Sequence, residues 1–268
     1  MIANALPYVQ IPSLPLDLPG LGALEISIFG VLVATGVVVG HRLAMRHARM
    51  VGLDERAADK LVVTVAAIGF VAAHWVSVVF YFPERIAADP WVLLRLNDGI
   101  ASTGGFAGGL LAFVGLTRRS WAHTNPGKQA DMIAAGLLAG FTIGRIGCSL
   151  VHDHPGILAS EDHWLAVGPW PDGTYRWDLG LLELLGLLPI CAYVYTRETR
   201  LAARPGELTL TIAVLYVALR FPLDFLRTAD LRYAGLTPAQ IVCLALLGCT
   251  GWYAIRRRML RDRQRVAA

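Results

Sequence analysis

Seven apolar stretches, near residues 24–41, 61–82, 99–117, 130–152, 178–196, 207–226 and 237–255, constrain this chain more than any other feature. Each approaches the roughly 20 residues that an α-helix needs to cross a hydrocarbon core. In lipid every backbone N–H and C=O must find its partner internally, so such segments read as helices. Composition points the same way. Of 268 residues 55% are hydrophobic and 16% charged, with a mean hydropathy of +0.52, whereas soluble domains carry about 25% charged residues. The expected fold class is an all-α integral membrane protein with seven transmembrane helices, forming one domain over residues 1–268. Residues 1–23, which hold Pro7, Pro12, Pro15 and Pro19, are expected as an irregular outer segment, and residues 256–268 as a basic cytoplasmic tail. No removable signal peptide is expected, because Met1 to Gly20 lacks a basic n-region and a small-residue cleavage site. Cys148, Cys191, Cys243 and Cys249 all fall in apolar segments, which argues against a disulfide framework.

Basic residues set the orientation. Arg42, Arg46, Arg49, Arg56 and Lys60 follow the first span; Arg118, Arg119 and Lys128 follow the third; Arg197, Arg200 and Arg204 follow the fifth. With the six arginines of the C-terminus, 17 basic residues gather on one side, 6 on the other, and Arg145 lies within a span. The expectation is an outer N-terminus and a cytoplasmic C-terminus. The entry to span three, the loop after span four, the end of span six and Glu183 near the start of span five then share one depth near the outer leaflet.

Arg145 is costly where it stands, since burying an arginine in a spanning helix costs roughly 2.5–3.5 kcal/mol on insertion scales. With Cys148 and His152 at i+3 and i+7 it shares one helical face. A guanidinium fork suits a phosphate or carboxylate; the plainer alternative is a structural pair with Glu183 or Asp224. His152-Asp153-His154 invites a metal, with Cys148 four residues before His152. Adjacent residues do not all point one way on a regular helix, however, and no spaced HxxxH or CxxC supports them, so no metal is expected. Proton transfer by one histidine, or a solvated loop, remain as alternatives. In span six Tyr216, Arg220, Asp224 and Arg227 also share a face. Arg220 pairs with Asp224 at i+4 or provides a second anion contact, and Pro222 interrupts the backbone ladder there. His74 with Trp75, and Thr103 with Gly104 and Gly105, have bland readings as interface anchoring and small-residue packing.

From about Ile26 to Arg258 the chain resembles the prolipoprotein diacylglyceryl transferase family of bacterial inner-membrane enzymes. Gly144-Arg145-Ile146-Gly147 matches the start of the signature Gly-Arg-x-Gly-Asn-x-x-Asn-x-Glu-x-x-Gly, Gly156 falls on its last glycine, and Asp153 stands at its glutamate. Tyr216-x-x-x-Arg220-Phe221-x-x-Asp224-Phe225-x-Arg227 is similar to the family's Tyr-x-x-x-Arg-Phe-x-x-Glu-Phe-x-Arg, Glu183 matches the glutamate opening the fifth span, and Leu236-Thr237-x-x-Gln240-Ile241 resembles the start of the last span. The departures are Thr103 for the histidine of His-Gly-Gly, Cys148 and Val151 for the two asparagines, Phe29 for a tyrosine and His74 for an arginine.

The resemblance implies transfer of a diacylglyceryl group from phosphatidylglycerol to the lipobox cysteine of a preprolipoprotein signal peptide, at an active site towards the outer leaflet of the inner membrane. It implies Arg145 and Arg220 as catalytic, with His152 or His154, or else His74, replacing the absent histidine as base. Thr103, Gly104, Gly105, Cys148, Asp153, Gly156, Glu183, Tyr216, Asp224 and His74 complete the expected substrate-binding set. No cofactor and no nucleic-acid partner are expected; the partners are the two substrates and membrane lipid. Two rivals stand beside this reading: a paralogue with another acceptor or lipid, and a non-catalytic lipid-binding or transport protein of the same fold.

Overall fold

The computed structural model describes residues 4–18, 22–94, 101–118, 125–228 and 232–267. In chain order these form β1 (Leu6–Pro7), β2 (Leu14–Leu18), β3 (Gly22–Ile26), α1 (Ile28–Met50), α2 (Glu55–Val76), α3 (Pro83–Ala88), α4 (Ser102–Arg118), α5 (Pro126–Val151), β4 (Pro155–Leu158), β5 (Ala166–Gly168), β6 (Arg176–Asp178), α6 (Leu179–Thr196), α7 (Glu198–Ala202), α8 (Glu207–Leu223) and α9 (Pro238–Ala267). Each expected span carries a helix. Five segments among the described residues are long and apolar enough to cross a membrane: Ile28–Met50, Glu55–Phe80, Pro126–Val151, Leu179–Thr196 and Glu207–Leu226. α4 has 17 residues, and the apolar part of α9 is Pro238–Gly251.

Capping side chains decide where helices begin. Ser27 Oγ accepts from the Gly30 N–H at 3.0 Å and Asp54 from Ala57 at 2.8 Å. Asn125 accepts from Lys128 at 3.3 Å and Asp178 from Leu181 at 3.0 Å. Each satisfies an orphan donor of a first turn. α1 therefore starts later than its apolar stretch and runs on to Met50, carrying Arg42, Arg46 and Arg49 on its basic end. The N-cap of α8, Gly206, has no side chain to offer. Asp131 of α5 takes over that task, accepting from the N–H groups of Gly206 and Thr209 at 2.7 and 2.8 Å.

The chain is not wholly helical, and its first residues are not wholly irregular. β2 and β3 pair antiparallel, and a second sheet has the order β1-β5-β6-β4, with β1 parallel to β5 and the other pairs antiparallel. These strands are too short and too polar in their connections for hydropathy to register them. β4 leaves the end of α5 and β6 leads into α6, so the sheet stands on the ends of the two helices that carry Arg145 and Glu183.

Helix seams are built from small residues. A Cβ on Gly36 would meet the Gly140 carbonyl oxygen at 2.5 Å, and one on Gly136 would meet that of Gly40 at the same distance. α1 and α5 thus pack backbone to backbone through two small-xxx-small pairs. Gly104 and Gly108 of α4 press against Val76 and Ala72 of α2, where added Cβ atoms would lie 2.5 and 2.2 Å from side-chain carbons. A core of Ala135, Leu138, Leu187, Val194 and Leu208 joins α5, α6 and α8.

Gly136→Ala is expected to destabilise the protein by about 1–3 kcal/mol through overpacking, seen as a lowered thermal midpoint in detergent. Gly248→Ala, where a Cβ meets nothing within 4 Å, should leave that midpoint unchanged.

Candidate active site

Glu183 lies one turn into α6 with no exposure, and two arginines from different helices reach it. Arg220 Nη1 donates to Glu183 Oε2 at 2.8 Å, and Arg145 Nη2 forms an ion pair with the same oxygen at 3.1 Å. The Tyr216 hydroxyl donates to Oε1 at 2.8 Å. Arg220 Nη2 pairs in turn with Asp224 Oδ1 at 2.8 Å. Both arginines are buried, so the network is closed and charge-balanced: two guanidiniums against two carboxylates. Leaving any of these charges unpaired in such surroundings would cost several kcal/mol.

The second carboxylate is fixed from the last helix. Thr237 Oγ1 donates to Asp224 Oδ2. The Thr237 N–H donates to Gln240 Oε1 at 3.0 Å, and the Gln240 N–H donates to Thr237 Oγ1 at 3.2 Å. This reciprocal pair is a capping box opening α9, which gives Thr237-x-x-Gln240 a physical reason. Gln240 Nε2 also donates to the Phe221 carbonyl at 3.2 Å, across to the end of α8.

Arg145 faces a second group of residues. Its Nη1 donates to Cys148 Sγ at 3.5 Å and to His154 Nε2 at 3.3 Å. His154 thus has its proton on Nδ1, which donates to Asp153 Oδ1 at 2.5 Å. The Arg145 guanidinium lies over the Phe141 ring at 4.8 Å, a favourable cation–π placement. Phe141 contacts Phe106 and Tyr216, forming an aromatic wall. Arg145 Nε is buried and has no hydrogen-bond partner among the described residues. One donor of this buried guanidinium is therefore unspent.

The backbone makes this convergence possible. α5 ends at Val151 and its C-cap, His152, is left-handed at φ 51°, a region that His visits more readily than most non-glycine residues. The chain reverses there and brings His154 back over the last turn. His152 goes elsewhere: its Nδ1 bonds Asp178 Oδ2 at 2.5 Å, and its ring stacks on Tyr8 with centroids 4.5 Å apart, edge-on to Trp170.

The site residues expected from sequence separate accordingly. Arg145, Cys148, Asp153, His154, Glu183, Tyr216, Arg220 and Asp224 come together. His74 is fully buried and bonds the Val92 carbonyl through Nε2 at 2.8 Å. Gly104 and Gly105 sit in the seam between α4 and α2; Thr103 is half-buried and, three residues before Phe106, shares the α4 face that meets the aromatic wall. Gly156 is threaded between backbones, with an added Cβ at 2.8 Å from the Trp177 carbonyl oxygen and 3.1 Å from that of Leu226. Phe141 and Phe106 were not expected. The spacing of Phe141, four residues before Arg145 on the same face, was the available signal.

One ligand atom each from Cys148, Asp153 and His154 lie within 4.8 Å of one another. Among the described residues this is the group whose donors are placed to hold a metal ion.

The model of the prolipoprotein diacylglyceryl transferase family matches residues 18–256 of the chain. A phosphatidylglycerol–prolipoprotein diacylglyceryl transferase of Staphylococcus carnosus is 27% identical over 236 residues, covering 85% of this chain and 84% of its own. Its counterpart in Staphylococcus saprophyticus is 24% identical over 257 residues, covering 92% and 91%. That of Staphylococcus xylosus is 24% identical over 236 residues, covering 85% and 84%.

Glu183→Ala strands two buried guanidiniums and is expected to destabilise the protein by about 3–5 kcal/mol, measured by unfolding in detergent. A loss below about 1 kcal/mol, the size seen for exposed pairs, would show that the carboxylate is not the hub described.

Proposed function

Because the chain belongs to the prolipoprotein diacylglyceryl transferase family, we propose that it moves the diacylglyceryl group of phosphatidylglycerol to the lipobox cysteine thiol of a preprolipoprotein. The observation that carries this reading is the buried Arg145 with an unpartnered Nε beside a cluster containing His154. A lipid phosphate is the ligand that such a donor suits.

In this reading the acceptor sulfur attacks the glyceryl carbon, and the carbon–oxygen bond to phosphate breaks with its electron pair on that oxygen. Glycerol phosphate departs. Arg145 faces the phosphate and offsets the charge gathering on the departing oxygen, the kind of preorganised contact that contributes most to such steps. Arg220, with both Nη atoms engaged at Glu183 and Asp224, acts through Glu183: it shares that carboxylate with Arg145 and so helps to hold Arg145 in place. The proton of the acceptor thiol leaves at the Cys148–Asp153–His154 corner, because His154 is the ring that touches Arg145 whereas His152 and His74 are engaged elsewhere.

The same reading completes the topology. α4 and the apolar part of α9 span the membrane with the five longer helices, giving seven spans with the N-terminus outside and the C-terminus in the cytoplasm, all in one domain. The protein then resides in the bacterial inner membrane, its sheet and site facing the outer leaflet, where a signal peptide presents its lipobox. The basic end of α1 and the arginines around α7 support this orientation.

Arg145→Ala is expected to lower transfer from phosphatidylglycerol to a lipobox peptide by roughly 10²–10³-fold, followed by mass spectrometry of the peptide. Full retained transfer would remove Arg145 from the phosphate site. For the topology, a cysteine introduced at exposed Ser160 should react with an impermeant thiol reagent in intact cells, and one at exposed Ala203 only after lysis. The opposite pattern would invert the orientation.

A further inference from the structure

The other end of the bundle holds charges that the active site does not use. α1 and α2 meet at the turn 51–54, and between their adjoining ends lies an open cleft of about 730 Å³, a volume within the range of roughly 300–1,000 Å³ of small-ligand sites. Arg42, Arg46, Arg49 and Arg56 line it together with Glu55 and Asp59. Most of these charges are already committed. Arg46 Nη2 pairs with the buried Glu198 at 2.5 Å, and Arg49 with Glu55 at 3.3 Å. Asp59 Oδ1 shares a hydrogen bond of 2.7 Å with His41 Nε2. Arg42 and Arg56 are exposed and have no ion pair among the described residues. We propose that Arg42 and Arg56 bind the phosphodiester of an anionic glycerophospholipid whose acyl chains lie along α1 and α2. The lipid class stands on this cleft; its membership of the inner leaflet rests on the topology proposed above.

Charge and shape both support it. A guanidinium fork presents paired N–H donors that match two phosphate oxygens, and basic pockets between helices on the cytoplasmic side suit anionic lipid headgroups. Beyond the cleft each helix presents an apolar stripe. On α1 the exposed Val38 stands one turn from Arg42, and the exposed Val31 seven residues further. On α2 the exposed Val63 stands seven residues from Arg56, and the exposed Phe70 seven further. Residues seven apart share a helix face, so each stripe continues from its own arginine. The eleven residues from Arg42 to Val31 cover about 16 Å of helix, close to one leaflet of a hydrocarbon core about 30 Å thick. Headgroup and tails of one lipid fit that length.

This site is separate from the one around Arg145. Gly36 meets Gly140 and Gly40 meets Gly136, so α1 and α5 run antiparallel. Arg145 then stands level with the first turn of α1, about three turns from Arg42. The two ends are joined through α1. Its Ala44, Met45 and Ala48 pack on Ala58, Leu61 and Val65 of α2 beside the cleft, and its Gly36 and Gly40 seat the helix that carries Arg145. A phosphodiester between Arg42 and Arg56 offsets two like charges at the hairpin and ties α1 to α2. The lipid is a fixed companion of the fold and not the donor that is consumed.

The test uses the full chain in detergent, where neither the topology nor transfer activity enters, and a phosphatidylglycerol with a diazirine in one acyl chain. After irradiation and digestion, label is expected on the segments of α1 and α2 that hold Val38 and Val63. Unlabelled phosphatidylglycerol should displace it there, and phosphatidylcholine should not. In the double variant Arg42→Gln/Arg56→Gln the affinity at these segments should fall about 30-fold, from about 1 kcal/mol for each arginine near a membrane surface at 1.4 kcal/mol per tenfold. Both side chains are exposed and unpaired, so this variant should keep the thermal midpoint of the parent protein. Arg200→Gln/Arg204→Gln removes the same charge from exposed residues outside the cleft and should leave the labelling unchanged. Labelling of these segments that phosphatidylcholine displaces equally well, or that persists in Arg42→Gln/Arg56→Gln, overturns the site and leaves only bulk lipid around the helices. An equal loss in Arg200→Gln/Arg204→Gln overturns it in favour of general surface charge. Displacement by inorganic phosphate as complete as that by the lipid overturns it in favour of a soluble anion.

Discussion

The buried carboxylate of Glu183, held between Arg145 and Arg220, is the interaction on which the rest of the bundle depends. It ties α5, α6 and α8 together at one depth, and Asp224 extends the tie through Thr237 to α9. In a low-dielectric interior such a network is worth little over a well-packed apolar substitute, but it is costly to leave incomplete. Glu183 pins the Arg145 guanidinium in place, while its Nε is left without a hydrogen-bond partner among the described residues.

Around that tie the chain is arranged to bring helix backbones close together. The paired glycines of α1 and α5 bring the helix carrying Arg145 against its neighbour with no side chains between them. Capping side chains at Ser27, Asp54, Asn125 and Asp178 fix where α1, α2, α5 and α6 start, and Asp131 does so for α8 from another helix. The small sheet grows from the ends of α5 and α6. It fixes the path of the loop that returns His154 to Arg145 and threads Gly156 between two backbones.

Much of this was legible in the sequence. Hydropathy finds the helices because lipid demands it, and charges in an apolar segment mark the site because burial makes them expensive. Helical spacing also put Arg145 with Cys148, and Tyr216 with Arg220 and Asp224. The strands escaped because they are two to five residues long and lie before or between the apolar stretches or, for β3 and β6, run into the start of one. The division of labour among the histidines escaped for a different reason. Nothing local says that His152 adopts a left-handed conformation, and that single dihedral sends His152 to Asp178 and His154 to Arg145. The glycines at Gly104 and Gly156 read as ligand contacts in the sequence, and the structure places both at close approaches of neighbouring segments. Spacing alone does not separate those two uses of glycine.

Transfer to the lipobox cysteine is tested most directly in a bacterium whose own prolipoprotein diacylglyceryl transferase can be switched off. Expression of this chain should restore growth on depletion, and mass spectrometry of a reporter prolipoprotein should show the diacylglyceryl thioether on its cysteine. Good expression in the membrane with no growth and an unmodified reporter cysteine would contradict the transferase assignment.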